Sequence, residues 1–274
     1  MLKGYSPPLS PNGTANLVPA PPWHYVGTLL VIDFWTNPEA VKALLPPTLL
    51  PSQDPGRCVA YFADWQACTD GGAELLDPIR AQYREFFLLV SARLGEEEVL
   101  LCPYIFVEQD IALLRGLLQG YPKQLGSVYI TRAYDLASPA SPMVGPGGTF
   151  AATLAVKDRR LAEATLALER QVEAGQSHYN APLLTVRHFP ELRSGQQHQP
   201  AVYELVRQQW QNRQVSPVWS GTATLRFFES PVQELHQLNP IRVGAGFRYT
   251  MAITISGVEQ VRDLRPHLTS LVQE

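Results

Sequence analysis

Residues 120–126 read Gly-Tyr-Pro-Lys-Gln-Leu-Gly, and this stretch holds Lys123 in a turn bracketed by glycine and proline. The run before it, from Ile111 to Tyr121, carries a single charge, Arg115. A lysine fixed against apolar neighbours loses hydration of its ammonium form, so its pKa falls. At the ordinary pKa of about 10.4 only about one lysine in 2,500 is neutral at pH 7, whereas a fall of about 4 units would make about half neutral. The stretch predicts a nucleophilic amine; a structural or surface lysine is the alternative.

Two further segments accompany this lysine in the order of a known family. Tyr-Arg-Glu at 83–85 and Trp-Ser-Gly-Thr-Ala-Thr-Leu-Arg-Phe-Phe-Glu at 219–229 are similar to the Tyr-x-Glu and Trp-Thr-Gly-x-x-x-Leu-x-x-Phe segments of acetoacetate decarboxylases. The lysine stretch resembles their Tyr-Pro-Lys-Lys-Leu-Gly segment, and the matches together cover roughly residues 20 to 255. The resemblance implies that Lys123 forms a Schiff base, that Glu85 faces it, and that both lie inside a closed β-barrel-like α+β fold.

The chain differs from the decarboxylases at three places within these segments. Gln124 replaces the second lysine of the family's pair, Gly27 stands where the first strand carries an arginine, and Gly116-Leu117 replaces an Arg-Glu pair. The chain therefore resembles a divergent member of the acetoacetate decarboxylase-like superfamily, which also holds Schiff-base aldolase-dehydratases acting on pyruvate. Because the amide of Gln124 carries no charge, it cannot lower the pKa of Lys123 as a second lysine would. We therefore expect desolvation alone to lower that pKa.

Composition excludes several other classes of protein. The 274 residues are 45% hydrophobic and 17% charged, which is typical of a globular chain with a sizeable core. A net charge of −3 argues against a nucleic-acid partner. The six histidines lack metal-ligand spacing, so we expect no metal site. Three cysteines without a framework and no signal-peptide pattern predict a cytoplasmic protein, and no apolar run reaches a membrane span of about 18 residues.

Local patterns predict a proline-rich arm over residues 1–22 and one mostly antiparallel β domain, with few short helices, over residues 23–274. Helical spacing predicts a helix over Asp110–Leu118 that Asp110 can cap and that has Ile111, Leu114 and Leu118 on one face. Further helices are expected at 39–45, 163–174 and 202–213, the last with a strand pair as the alternative, and a helical turn is expected at 233–238. Strands are expected at 25–35, 58–65, 83–93, 99–107, 127–134, 149–157, 183–189, 219–228 and 247–255.

Glu85 is the predicted proton-transfer partner of Lys123. It lies in an otherwise apolar strand, where a buried charge requires a compensating partner or a functional role. Tyr83 lies two residues earlier, on the same face of the strand, and is a predicted substrate contact. An outward-facing Glu85 is the alternative.

Four more residues are candidates for binding substrate. Gln119 and Gln124 flank the lysine turn, and their amides can hydrogen-bond a substrate oxygen. On the last strand, Arg248 can bind a carboxylate and Tyr249 can donate a proton. Because neighbouring residues of a strand face opposite sides, only one of this pair is expected to reach the cavity.

These observations favour a Schiff-base lyase that acts on a small oxo acid through aldol and dehydration chemistry, with an aldehyde as co-substrate. The covalent imine on Lys123 makes a separate cofactor unnecessary. The alternatives are a β-keto acid decarboxylase and a non-catalytic ligand-binding barrel. The resemblance and the proline-rich arm also lead us to expect a homo-oligomer.

Overall fold

The computed structural model describes residues 1–174 and 181–265. The helices in this part of the chain are α1 (Pro38–Lys42), α2 (Pro78–Ala81) and α3 (Asp110–Leu118), and short 3-10 turns lie at Ala73–Leu76 and Leu235–Leu238. Its strands are β1 (Trp23–Trp35), β2 (Leu50–Pro51), β3 (Arg57–Thr69), β4 (Gln82–Leu94), β5 (Glu97–Val107), β6 (Lys123–Leu125), β7 (Ser127–Ile130), β8 (Thr149–Val156), β9 (Arg159–Val172), β10 (Leu183–Pro190), β11 (Pro200–Val215), β12 (Val218–Phe227) and β13 (Arg242–Asp263).

The strands form a closed ring with a second layer attached to it. The ring runs β1-β3-β4-β5-β10-β11-β13, and β13 returns to pair with β1. Neighbouring strands of the ring are antiparallel except β5 and β10. From β13 the sheet continues through β12, β9, β8 and β7, all antiparallel. The predicted class, mostly antiparallel β with few short helices and a closed arrangement of strands, is confirmed.

Alternation along the ring strands divides the apolar residues between two cores. On β4, Phe86 and Leu88 belong to the outer core, between the ring and the second layer. Tyr83 and Phe87 belong to the inner core, which fills the ring. Because side chains alternate along a strand, Glu85 faces the ring interior with Tyr83 and Phe87. The predicted shared face of Tyr83 and Glu85 is therefore confirmed.

Most predicted strands are present, with ends displaced by a few residues, but two predicted helices are wrong. Residues 163–174 lie largely in β9, and 202–213 lie within β11. In β9 the buried Ala164, Leu166 and Leu168 alternate with less buried residues, which is the two-residue period of a strand. Strand β11 pairs on both sides, with β10 and β13, so sheet hydrogen bonds decide its conformation.

The segment before β1 contains no helix or strand, yet part of it is packed. Val18 is fully buried in the inner core, and its N–H donates to Ser6 Oγ at 2.7 Å. Trp23 Nε1 donates to Pro19 O at 3.0 Å. The arm expected over residues 1–22 therefore contributes to the domain core.

None of the helices in the described part of the chain has the length and apolar character needed to cross a membrane.

The outer core depends on Phe86, whose ring packs against Phe62, Phe106 and Phe227. Phe86→Ala leaves a cavity among these rings, so we expect the free energy of unfolding to fall by about 3–5 kcal/mol. Urea denaturation measures the change, with Leu76→Ala as the control because Leu76 is 91% exposed. Equal stability of the two variants would contradict this account of the outer core.

Candidate active site

Helix α3 and the turn after it place Lys123 in the ring interior. The predicted helix bounds are confirmed, but its N-cap is Gln109, and Asp110 Oδ1 instead accepts from Ile111 N–H at 2.7 Å. The buried residues of the helix are Ile111, Ala112, Arg115 and Gly116, whereas Leu114 and Leu118 are only partly buried. The helix ends before Gly120, whose φ of +86° suits glycine.

Hydrogen bonds from β10 and β11 anchor the end of this helix. Gln119 O accepts from Thr185 Oγ1 at 2.7 Å and from Gln208 Nε2 at 3.0 Å. Leu118 O accepts from Arg187 Nε at 2.9 Å. Terminal helix carbonyls lack intrahelical partners, so these side chains satisfy them. The start of β6 at Lys123, opposite Ile105 of β5, is thereby fixed in position.

Gly116 makes room for the lysine side chain. A Cβ at this position would lie 2.3 Å from both Cδ and Cε of Lys123. The lysine stem therefore passes directly against the helix backbone, and any larger residue at position 116 would displace it.

Lys123 and Glu85 form a buried pair at the centre of the site. Lys123 Nζ donates to Glu85 Oε2 at 2.6 Å, and both side chains are 7% exposed. The other carboxylate oxygen, Glu85 Oε1, accepts from Trp65 Nε1 at 3.2 Å. A proton can therefore pass between the amine and the carboxylate without an intervening group.

Burial lowers the pKa of Lys123, and the Arg115 guanidinium lowers it further, while the Glu85 carboxylate opposes both effects. Arg115 is only 4% exposed, and its Cζ lies 4.9 Å from the ring centre of Tyr25 and 5.8 Å from that of Tyr83. The expectation that desolvation acts alone is therefore incomplete. A second cation, Arg115 of α3, lies near Lys123, whereas the residue after the lysine, Gln124, is neutral.

The pair opens onto a cavity in the ring interior, with about 50 Å³ available to the centres of water-sized molecules. Aromatic residues form much of its wall, and the remainder is largely aliphatic. The aromatic residues are Tyr25, Trp65, Tyr83, Phe87, Tyr121 and Trp210. Burial raises the pKa of Tyr25 and Tyr83, so both phenols remain protonated and can donate hydrogen bonds. The cavity combines a desolvated amine, a proton acceptor and flat apolar walls.

Of the predicted site residues, Lys123, Glu85, Tyr83 and Gln119 line this cavity together. Gln124 does not, because adjacent residues of β6 face opposite sides. Gln124 is exposed, and its Oε1 accepts from Gln233 Nε2 at 2.7 Å.

Arg248 and Tyr249 also lie outside the lining of the cavity, although they face opposite sides of β13 as expected. The Arg248 guanidinium stacks on Phe150 of the outer core at 4.4 Å, and burial lowers its pKa. Tyr249 is buried in the inner core. Both residues line a separate pocket beside Trp219.

Sequence reasoning missed Trp65 and Arg115 as parts of the site. The isolated charge of Arg115 in an apolar helix was a usable signal, because a buried charge needs a partner or a role. Trp65 gave no such signal, since a tryptophan in an apolar strand is by default a core residue.

Comparisons with known proteins match the chain over nearly its whole length. The model of the acetoacetate decarboxylase (ADC) family matches residues 6–264. The enduracididine biosynthesis enzyme MppR, solved with pyruvate, is 34% identical with a TM-score of 0.89, covering 96% of this chain and 99% of MppR. An acetoacetate decarboxylase-like enzyme from Sphingomonas wittichii RW1 is 25% identical with a TM-score of 0.87, covering 95% of this chain and all of that one.

A more distant structure shares the fold. Acetoacetate decarboxylase from Legionella pneumophila is 18% identical with a TM-score of 0.77, covering 96% of this chain and 97% of that one. No curated protein sequence matches the chain. MppR has also been solved with the condensation product of pyruvate and imidazole 4-carboxaldehyde.

The electrostatics of the pair can be tested by Glu85→Gln. Because the carboxylate raises the pKa of Lys123, its removal should lower that pKa further, so the ammonium signal titrates at lower pH. NMR of labelled lysine side chains measures this, and the other three lysines, Lys3, Lys42 and Lys157, are internal references. An upward or absent shift would contradict the assigned interaction.

The space at Gly116 can be tested by Gly116→Ala. Alanine in a helix is favoured over glycine by about 1 kcal/mol, so without a clash this change would stabilise the protein. We expect instead a loss of stability in urea and a displaced Lys123 resonance. Leu117→Ala, on the partly exposed face, is the control and should leave that resonance in place.

Proposed function

Because the chain belongs to the acetoacetate decarboxylase family, we propose that it is a Schiff-base carbon–carbon lyase that condenses a small 2-oxo acid, pyruvate or a close analogue, with an aldehyde. The single observation that carries this proposal is the buried contact of 2.6 Å between Lys123 Nζ and Glu85 Oε2. It joins a nucleophile to a proton acceptor in a cavity from which water is largely excluded.

The first stage is formation of the imine. The ammonium proton of Lys123 passes to Glu85, and the neutral amine adds to the carbonyl carbon of the oxo acid. Glu85 then returns the proton to the resulting hydroxyl, which leaves as water. The product is a protonated imine, an electron sink attached to the enzyme through Lys123.

The second stage forms the new carbon–carbon bond. Glu85, again a carboxylate, removes a proton from the methyl carbon next to the imine and leaves an enamine. The enamine carbon adds to the aldehyde carbonyl, and the aldehyde oxygen takes up the proton. A second proton then leaves the same carbon and the hydroxyl departs with it as water, which gives an unsaturated imine. Addition of water to this imine releases the product and restores Lys123. The net reaction joins one oxo acid and one aldehyde with loss of one water.

Two unsatisfied polar atoms support an oxygen-rich acid as substrate. Among the described residues, Arg115 Nη2 and Gln119 Oε1 are buried without a hydrogen-bond partner. Buried polar atoms are normally paired. Gln119 lines the cavity and can accept from a substrate hydroxyl, while the positive charge of Arg115, just behind Tyr25 and Tyr83, attracts a carboxylate.

The relatives and the neighbours of Lys123 favour condensation over decarboxylation. MppR is bound to pyruvate in its structure. In this chain the residue after Lys123 is Gln124, which points away from the cavity, so the decarboxylases' lysine pair is not reproduced. Acetoacetate decarboxylation uses the same imine and is the second candidate, on the strength of the family match.

The proposed chemistry is tested by borohydride trapping with pyruvate and, in parallel, with acetoacetate. We expect a reduced pyruvate adduct on Lys123 alone among the four lysines, located by peptide mass spectrometry. Lys123→Arg should abolish the adduct, and Lys42→Arg, which changes an exposed lysine, should not. Trapping with acetoacetate accompanied by carbon dioxide release would favour decarboxylation, and no adduct with either in folded protein would favour a binding function.

The second stage is tested by adding imidazole 4-carboxaldehyde to enzyme and pyruvate. The dehydrated product is conjugated, so its formation is followed by ultraviolet absorbance and mass. Glu85→Gln should slow product formation by about 10²–10⁴-fold, the usual contribution of a positioned acid–base group. Product formation at the wild-type rate in this variant would exclude Glu85 from the proton transfers.

A further inference from the structure

Trp65 contacts the carboxylate that the proposed mechanism uses twice. Its Nε1 donates to Glu85 Oε1 at 3.2 Å, while Lys123 occupies Oε2. Both Trp65 and Glu85 are 5% exposed, so water cannot readily replace either donor. The two donors approach different oxygens and therefore fix the plane of the carboxylate as well as its place.

Gly27 creates the space in which the indole lies. Gly27 of β1 is the direct cross-strand partner of Trp65 on β3. A Cβ at position 27 would lie 2.4 Å from Trp65 Cε3 and 2.6 Å from Asp64 O, so no other residue fits without moving the indole. The ring of Tyr25 packs edge-on against Trp65, with centroids 6.0 Å apart. The indole is thus held by its neighbours in the orientation that reaches Glu85.

From this arrangement we propose that Trp65, seated over Gly27, is a positioning residue whose hydrogen bond holds the Glu85 carboxylate aimed at Lys123. The inference rests on the proposed function, since it assigns the control of that function's proton acceptor. A carboxylate out of water is unstable unless hydrogen bonds to its charged form compensate. Trp65 provides one of the two such bonds that the described residues make to Glu85.

Among the described residues, no other titratable group near Glu85 donates a hydrogen bond to Oε1. Arg115 on α3 favours the carboxylate, as does the Lys123 ammonium on β6. Tyr25 on β1, Tyr83 on β4 and Cys102 on β5 also lie within electrostatic range, and burial raises the pKa of each, so all three are neutral near pH 7. None of these groups replaces the donor that Trp65 supplies.

Trp65→Phe removes the donor and keeps an aromatic ring over Gly27. Hydrogen bonds to charged groups are worth about 1.5–3 kcal/mol, so the protonated acid should gain at least about tenfold in relative population. We expect the pH at which the Glu85 carboxyl carbon titrates in NMR to rise by about one unit or more. The acid limb of pyruvate trapping should move by the same amount, while trapping at high pH stays within about threefold of wild type.

Two variants separate positioning from general damage to the cavity. Trp210→Phe changes another tryptophan of the same wall and should leave the Glu85 titration in place. Gly27→Ala displaces the indole without altering Trp65, so it should reproduce the upward shift and add little to it in the double variant. A Glu85 titration unchanged in both Trp65→Phe and Gly27→Ala would overturn the inference. The NMR titration needs no imine, so a wild-type protein that traps no oxo acid would refute the proposed function alone.

Discussion

The contact between Lys123 and Glu85 is the constraint on which the rest of the site depends. An ion pair taken out of water is stable only when its geometry is good and its remaining hydrogen bonds are made. The surroundings meet both conditions, because a ring of strands excludes water, Gly116 lets the lysine stem lie against α3, and Trp65 satisfies the second carboxylate oxygen. The pair therefore stays in direct contact while it is out of water, as proton transfer between its members requires.

Different structural features fix the positions of Glu85 and Lys123. Glu85 belongs to the middle of β4, a ring strand with neighbours on both sides, so its position follows from sheet register. Lys123 comes from a short strand after a helix whose end is anchored by Thr185, Gln208 and Arg187. Sheet register places the acid, and side-chain hydrogen bonds to a helix end place the amine. A shift in the register of β4, or loss of the hydrogen bonds at the end of α3, would separate Lys123 Nζ from Glu85 Oε2.

Local sequence predicted a mostly antiparallel fold and singled out Lys123 and Glu85, because each is encoded in a short stretch. The closed arrangement of strands and the facing of the two residues were implied by the family resemblance. Period-two alternation marks the ring strands, and a charge in an apolar strand marks Glu85. The helices expected at 163–174 and 202–213 failed because Glu, Ala, Leu and Gln favour helices only weakly, and pairing with neighbouring strands overrides that preference. Trp65 and the cation of Arg115 were missed because their roles arise between elements distant in sequence. Alternation correctly separated Arg248 from Tyr249, but it does not say how deep in the ring a residue lies.

The closure of the ring by β1 and β13 determines when the Lys123 amine is removed from water. The strand pairs that complete the wall, Tyr25 with Ile253 and Trp23 with Ile255, join residues more than two hundred positions apart. During synthesis, Lys123 emerges from the ribosome long before Ile253, so until then its ammonium remains hydrated and protonated like that of any exposed lysine. The burial that lowers the pKa of Lys123 is therefore complete only once β13 has docked against β1, so a local property of one amine depends on the pairing of the two ends of the domain.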